Sequence, residues 1–131
     1  MTNIAEVTSF LEGLYPLEWA EDWDRVGLVL GDPAWDVARL RLAVDPTVAE
    51  AREAAKKQGT LLITHHPLLL RGANFLPATS GKGAVATALL RSQGGLWCGH
   101  TNGDRSLNGT VGAWIELLGL QGAKPLALGE P

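Results

Sequence analysis

Only three histidines occur in the 131 residues, and two of them are adjacent. His65 and His66 close the run Thr60-Leu61-Leu62-Ile63-Thr64, and Pro67 stops it. The third, His100, follows a second apolar run, Gly95-Leu96-Trp97-Cys98-Gly99, with Asp104 four residues further on. Imidazole nitrogens and carboxylate oxygens are metal ligands, and the mixture suits zinc, iron or manganese better than calcium or magnesium. Two strand-like runs that each end in such groups point to one metal site.

Strands must deliver these groups to a common edge. Arg39–Val44 reads as a strand ending at Asp45-Pro46. Thr47 and Glu50 then have the spacing of a capping box. Val48, Ala51 and Ala55 make a narrow apolar stripe, Lys56 and Lys57 sit at the negative end of the helix dipole, and Gly59 is a suitable stop. The strand Thr60–Thr64 follows at once, so strand, helix and strand form a βαβ unit with parallel strands. A loop through Pro77 and Gly81 leads to a helix over Lys82–Ser92 and a third strand, Leu96–Gly99.

The flanks are simpler. Asn3–Leu14 is expected to be an amphipathic helix with Ile4, Val7, Leu11 and Leu14 on one face, capped by Asn3 with Glu6. After the acidic and aromatic run Trp19–Asp24, the alternation of Val26, Leu28 and Leu30 predicts a short strand closed by Gly31-Asp32-Pro33. Downstream, Asp104–Asn108 reads as loop. Thr110 is expected to cap a last helix whose apolar face is Val111, Trp114, Ile115 and Leu118, ended by Gly119. No element is expected in 121–131.

In open parallel α/β sheets, ligands bind beyond the carboxyl ends of the strands. Three predicted strands end in Asp45, in His65-His66 and in His100, so parallel strands would gather all of them on one rim. Pro67 favours extended backbone at His66, and neighbours on extended chain point to opposite sides. His65 and His66 are therefore expected to serve different ions of a pair roughly 3.5–4 Å apart, with Asp104 reaching or bridging them. Bland roles stand beside these. Asp104, in Asn102-Gly103-Asp104, also fits a turn. Asp45 fits the start of a helix better than a ligand. Cys98 fits buried packing better than metal binding, and Arg71 and Lys82 fit solvated surface better than phosphate binding. The tryptophans are expected in the core and at interfaces.

Composition narrows the classes. The length fits one domain with a real core. The apolar fraction of 46% and charged fraction of 19% are those of a soluble globular protein. A net charge of −3 gives no electrostatic reason to bind nucleic acid or an anionic membrane. No apolar run approaches a membrane span, no secretory signal is visible, and a single cysteine suits the reducing cytoplasm.

Three segments together are specific. Glu21-Asp22-Trp23-Asp24-Arg25-Val26-Gly27-Leu28, Ile63-Thr64-His65-His66-Pro67-Leu68 and His100-Thr101-Asn102-Gly103-Asp104 resemble, in order and spacing, the N-terminal signatures of the Nif3-like (YbgI-type) dinuclear-metal family. The resemblance covers about residues 3–126, which would form one domain before a tail at 127–131. It implies an α/β fold with a mixed, mainly parallel β-sheet flanked by helices. It also implies metal binding by His65, His66 and Asp104, with His100 close by as a catalytic proton carrier.

The complete family site would hold two divalent transition-metal ions (zinc, iron or manganese). The family further implies hexamers, a nucleotide substrate and the activity class of GTP cyclohydrolase type 2 homologues, or instead a non-catalytic metal carrier or scaffold. Arg25 stands where an asparagine is usual, and Gly103-Asp104-Arg105-Ser106 replaces a more apolar run. The family completes its site with a histidine and a glutamate from a C-terminal segment, and no histidine follows His100 here. The chain thus corresponds to an N-terminal half, for which weak, partial or absent metal is expected.

Overall fold

The computed structural model describes residues 1–126. The expected tail, 127–131, lies outside the described residues. Four strands form a single sheet: β1 (Gly27–Leu30), β2 (Arg39–Ala43), β3 (Thr60–Thr64) and β4 (Gly95–Cys98), in the spatial order β1-β4-β3-β2. β2, β3 and β4 are mutually parallel, and β1 runs antiparallel to β4 at the edge. The sheet is mixed and mainly parallel, as predicted.

Both faces of the central strands are covered, which is why β3 reads as continuous apolar sequence rather than an alternation. On one face, Leu62 and Leu96 pack with Ala51 and Ala54 of α2 (Val48–Ala55) and with Val85 and Leu89 of α3 (Gly81–Arg91). On the other, Leu61 and Trp97 pack with Ile4 of α1 (Ile4–Leu14), and Val7, Leu11, Leu28 and Ile63 complete the cluster.

The helix starts follow the sequence. Asn3 and Glu6 form a reciprocal capping box on α1, with bonds of 2.9 and 3.1 Å. Thr47 accepts from the amide of Glu50 at α2, but the Glu50 carboxylate turns instead to Arg41, 2.7 Å away.

Three expectations fail at the C-terminal side. Thr101–Arg105 is a short helix, α4, not loop, so Asp104 sits in a helical turn. Its start is fixed by side chains that no local pattern predicts. Asn102 Oδ1 accepts from the amide of His100, and the Asp24 carboxylate accepts from the amide of Thr101. The last helix, α5 (Thr110–Leu117), has Gly109 rather than Thr110 at its cap, because the Thr110 hydroxyl is committed to Asp104. Its predicted core face is not core. Val111, Trp114 and Leu118 are exposed and only Ile115 is partly covered.

Candidate metal centre

Register decides what meets at the rim. Ala43, Thr64, Cys98 and Gly27 pair in one row across all four strands. Just beyond that row, the parallel strands release Asp45, His65-His66 and His100. β1 runs the other way, so the segment that precedes it arrives at the same rim and brings Asp24.

The two adjacent histidines do not point apart. The strand ends at Thr64 and the chain bends at His65 and His66, so strand alternation no longer applies. Their ring centroids lie 5.2 Å apart, and each is near His100, at 5.0 Å for His65 and 5.6 Å for His66. One ligand nitrogen from each of the three rings lies within 4.8 Å of the others. This overturns the expectation that the side chains of residues 65 and 66 point to opposite sides, the geometric ground for giving them separate ions.

Each ring is held in the same way. His65 Nδ1 contacts the Gly99 carbonyl at 3.0 Å, His66 Nδ1 contacts Asp45 Oδ1 at 2.7 Å, and His100 Nδ1 contacts Asp24 Oδ1 at 3.0 Å. A carbonyl or a carboxylate offers only lone pairs, so in each ring Nδ1 is the donor. That leaves Nε2 free to be a ligand. Outward hydrogen bonds of this kind are what orient histidines at metal sites. Asp104 stands outside this converging trio and, of the three rings, reaches only His65, with its Oδ1 3.5 Å from His65 Nε2. Two lone pairs at that distance repel unless a proton or a metal cation lies between them. The donor set therefore fits a divalent transition metal.

Asp45 thus has a definite partner. It neither caps α2, whose cap is Thr47, nor reaches the cluster itself; it holds His66. Cys98 is fully buried below the rim, its thiol donating to the His65 carbonyl at 3.3 Å. Burial and the charge of Asp24 push this thiol up to about 12. The native protein should accordingly resist a thiol reagent at pH 8 and react promptly once unfolded; a fast native reaction would contradict the packing.

The residue that sequence reasoning passed over is Asp24. Its side chain is fully buried. Its oxygens accept from Arg25 N (2.8 Å), Thr101 N (3.1 Å), Thr101 Oγ1 (2.5 Å) and His100 Nδ1. Burial raises its pKa, but the hydrogen bonds from Thr101, His100 and the backbone of Thr101 and Arg25 outweigh that and hold it below the ordinary aspartate value. A depressed folded-state value stabilises the fold above the unfolded value of about 4 and loses that contribution as pH falls through it. The stability difference between wild type and Asp24→Asn should therefore shrink on acidification from pH 7 to pH 3, measured by urea unfolding. A constant difference would contradict an ionised Asp24.

The acidic segment is tied to α4 at further points. Glu21 N donates to Thr101 Oγ1 at 2.9 Å and Arg105 pairs with Glu21 at 2.7 Å. Arg25, at its unusual position, folds back on the carbonyls of Asp22 and Asp24. Beside the imidazoles, a cleft of about 270 Å³ runs between α1 and the sheet, lined by Leu11, Tyr15, Leu42, Ile63 and Trp97, with His65 also on its wall. Among the described residues, no helix is long and apolar enough to cross a membrane.

Known proteins share this arrangement of sequence and fold. A sequence model of the Duf34/NIF3 (NGG1p interacting factor 3) family matches residues 2–129. The chain is 40% identical over 126 residues to the GTP cyclohydrolase 1 type 2 homolog of Streptomyces coelicolor, covering 96% of this chain and 44% of that protein. It is 39% identical to the homolog of the same description from Mycobacterium tuberculosis, covering 90% of this chain and 31% of that protein. The chain thus spans less than half the length of these curated relatives.

Reduced HcgD from Methanocaldococcus jannaschii superposes with a TM-score of 0.88 at 30% identity, over 98% of this chain and 52% of that one. Staphylococcus aureus protein SA1388 superposes with a TM-score of 0.83 at 32% identity, over 92% of this chain and 39% of that one. The three segments that converge on the rim, the mixed sheet that carries them and the match across nearly the whole chain agree: the chain belongs to the Duf34/NIF3 family.

Proposed function

We propose that His65, His66 and Asp104 form a binding site for divalent transition metal with His100 beside it, and that in a complete protein this site supports hydrolysis of a nucleotide. The observation that carries the reading is the common orientation of the three imidazoles. Each Nδ1 is engaged by protein, and ligand nitrogens of all three rings gather within 4.8 Å. A structural cluster of histidines would have no reason to spare the same nitrogen three times.

The description of relatives as GTP cyclohydrolase 1 type 2 homologs supports this reading, in which the reaction is hydrolytic opening of a purine ring with release of formate. A bound divalent ion would supply Lewis acidity and lower the pKa of a water. The chain's own residues would do the rest. His65, His66 and Asp104 hold the ion. His100, its Nδ1 fixed by Asp24, offers Nε2 as the acceptor for the proton that the attacking water loses. The apolar cleft beside His65 offers a flat ring a surface, and no lysine or arginine lines it. Zinc, iron and manganese all suit the donors. In this reading the complete assembly is a homo-oligomer, a hexamer by likeness to the family.

One observation favours a second reading, a non-catalytic metal carrier. His100 is close enough to His65 and His66 to be a third ligand to one ion, which would leave it unable to act as a base. The two are separated by incubating the metal-loaded chain with GTP and assaying formate. Metal-dependent formate lost in His100→Gln with metal content unchanged supports the hydrolase. No formate with the site saturated, and metal affinity lost in His100→Gln, supports the carrier.

A further inference from the structure

Asp24 neither holds metal nor carries a proton in the roles above, and it is the most completely enclosed carboxylate at the rim. Its side chain is fully buried, whereas those of Asp45 and Asp104 are 60% and 39% exposed. It lies 76 residues from His100 in sequence and meets it only because β1 is antiparallel. Oδ2 takes both donors of Thr101, at 2.5 and 3.1 Å, Oδ1 takes the Arg25 amide at 2.8 Å, and His100 Nδ1 lies against both oxygens, 3.0 Å from Oδ1 and 3.1 Å from Oδ2. Four donors around one buried group leave the carboxylate no freedom to turn, and it in turn leaves the His100 ring only one orientation. The edge of Trp23 closes the other side, with ring centroids 6.0 Å apart and planes at 80°.

We propose that Asp24 is the positioning residue for His100: it fixes the ring and its Nδ1–H tautomer, so that an Nε2 lone pair is always presented to His65 and His66. The effect on metal rests on the metal-site reading above; the effect on the tautomer does not. A carboxylate is required for a specific reason. In Asp24→Asn the amide nitrogen would oppose both donors of Thr101 at the Oδ2 position, whereas at the Oδ1 position it opposes the Arg25 amide alone and faces His100 Nδ1 as a donor. That placement favours a His100 that accepts at Nδ1 and carries its proton on Nε2, where it blocks the lone pair. Loss of the correct tautomer is a known way for an aspartate-to-asparagine change to disable a histidine without moving it.

The test uses the whole chain, labelled with nitrogen-15, with no metal added. Long-range proton–nitrogen correlation spectra identify which ring nitrogen of His100 is protonated. The expected result is Nδ1–H in wild type and Nε2–H in Asp24→Asn. Where His100 serves as a third ligand, zinc titration is then expected to show an affinity about 10–100-fold lower in Asp24→Asn, the usual range for losing such a hydrogen bond at a metal ligand. In a His100→Gln background, the second change should add little, since Asp24 would act through a ring that is no longer present.

An Nε2–H tautomer in wild type would overturn the proposal, and that measurement needs no variant to fold. So would an unchanged tautomer in Asp24→Asn, or an undiminished loss of zinc in the His100→Gln background, which would make Asp24 a support for the loop in general. Wild type that takes up no zinc while His100 carries Nδ1–H would sink the metal reading and leave the positioning role standing.

Discussion

Replacing His65 and His66 together by alanine is expected to lower zinc affinity by more than about 100-fold, beyond the usual loss for an outer-shell partner, while the fold remains. Both rings lie past the end of β3, with side chains 27% and 48% exposed, so their removal opens no cavity in either core. What is lost is two of the three imidazoles whose nitrogens converge. His65→Ala alone should come close to the double change, because His65 is the ring that touches both the imidazole cluster and Asp104. Competition against a chromophoric chelator measures the affinity, and circular dichroism reports the fold. Unchanged zinc uptake in the double variant would remove the basis for the site. Lowering the pH should weaken binding in wild type, since ligand imidazoles must be neutral to coordinate.

Trp97→Ala is expected to destabilise the chain by about 3–5 kcal/mol, the range for emptying the space of a buried tryptophan. Trp97 is 2% exposed, packs with Ile4 and Leu61, and has Tyr15 6.4 Å away between ring centroids. It also forms the floor of the site. A side chain at Gly99 would come within 2.6 Å of the indole, so Gly99 must be glycine for the chain to cross the ring, and it is the Gly99 carbonyl that holds His65. Trp97→Ala should therefore weaken metal binding as well as stability.

Trp97→Phe should be far milder than its lost volume suggests. The indole Nε1 is buried with no hydrogen-bond partner among the described residues, and removing an unsatisfied donor recovers part of the desolvation cost. Urea unfolding measures both changes. A loss below about 1 kcal/mol for Trp97→Ala would be out of range for a buried large-to-small change and would contradict this packing.

The local parts of this fold were legible because their causes are local. The capping box at Asn3 and Glu6, the βαβ unit from Arg39 to Thr64 and the helix before the third strand rest on spacing and turn chemistry within a few residues. The three histidines stood out because histidine is scarce and two strands end at them, and Asp104 stood out by its spacing from His100. The helix α4 was not legible. Its first turn contains Gly103, a poor helix former, and is held by Asn102 and by an aspartate 77 residues upstream. The exposed face of α5 could not be read either, since apolar spacing alone does not distinguish a core face from one left uncovered.

By itself, the sequence determined which side chains are candidates for the chemistry, that parallel strands present them, and to which family the chain is similar. Only the tertiary structure decided how they meet. The direction of β1 brings Asp24 to the rim, the bend after Thr64 turns His65 and His66 towards each other, and the partners of the three Nδ1 atoms set which nitrogen each ring offers. Each of these depends on groups distant along the chain, and a pattern confined to neighbours holds no information about strand direction or about which lone pair is left free.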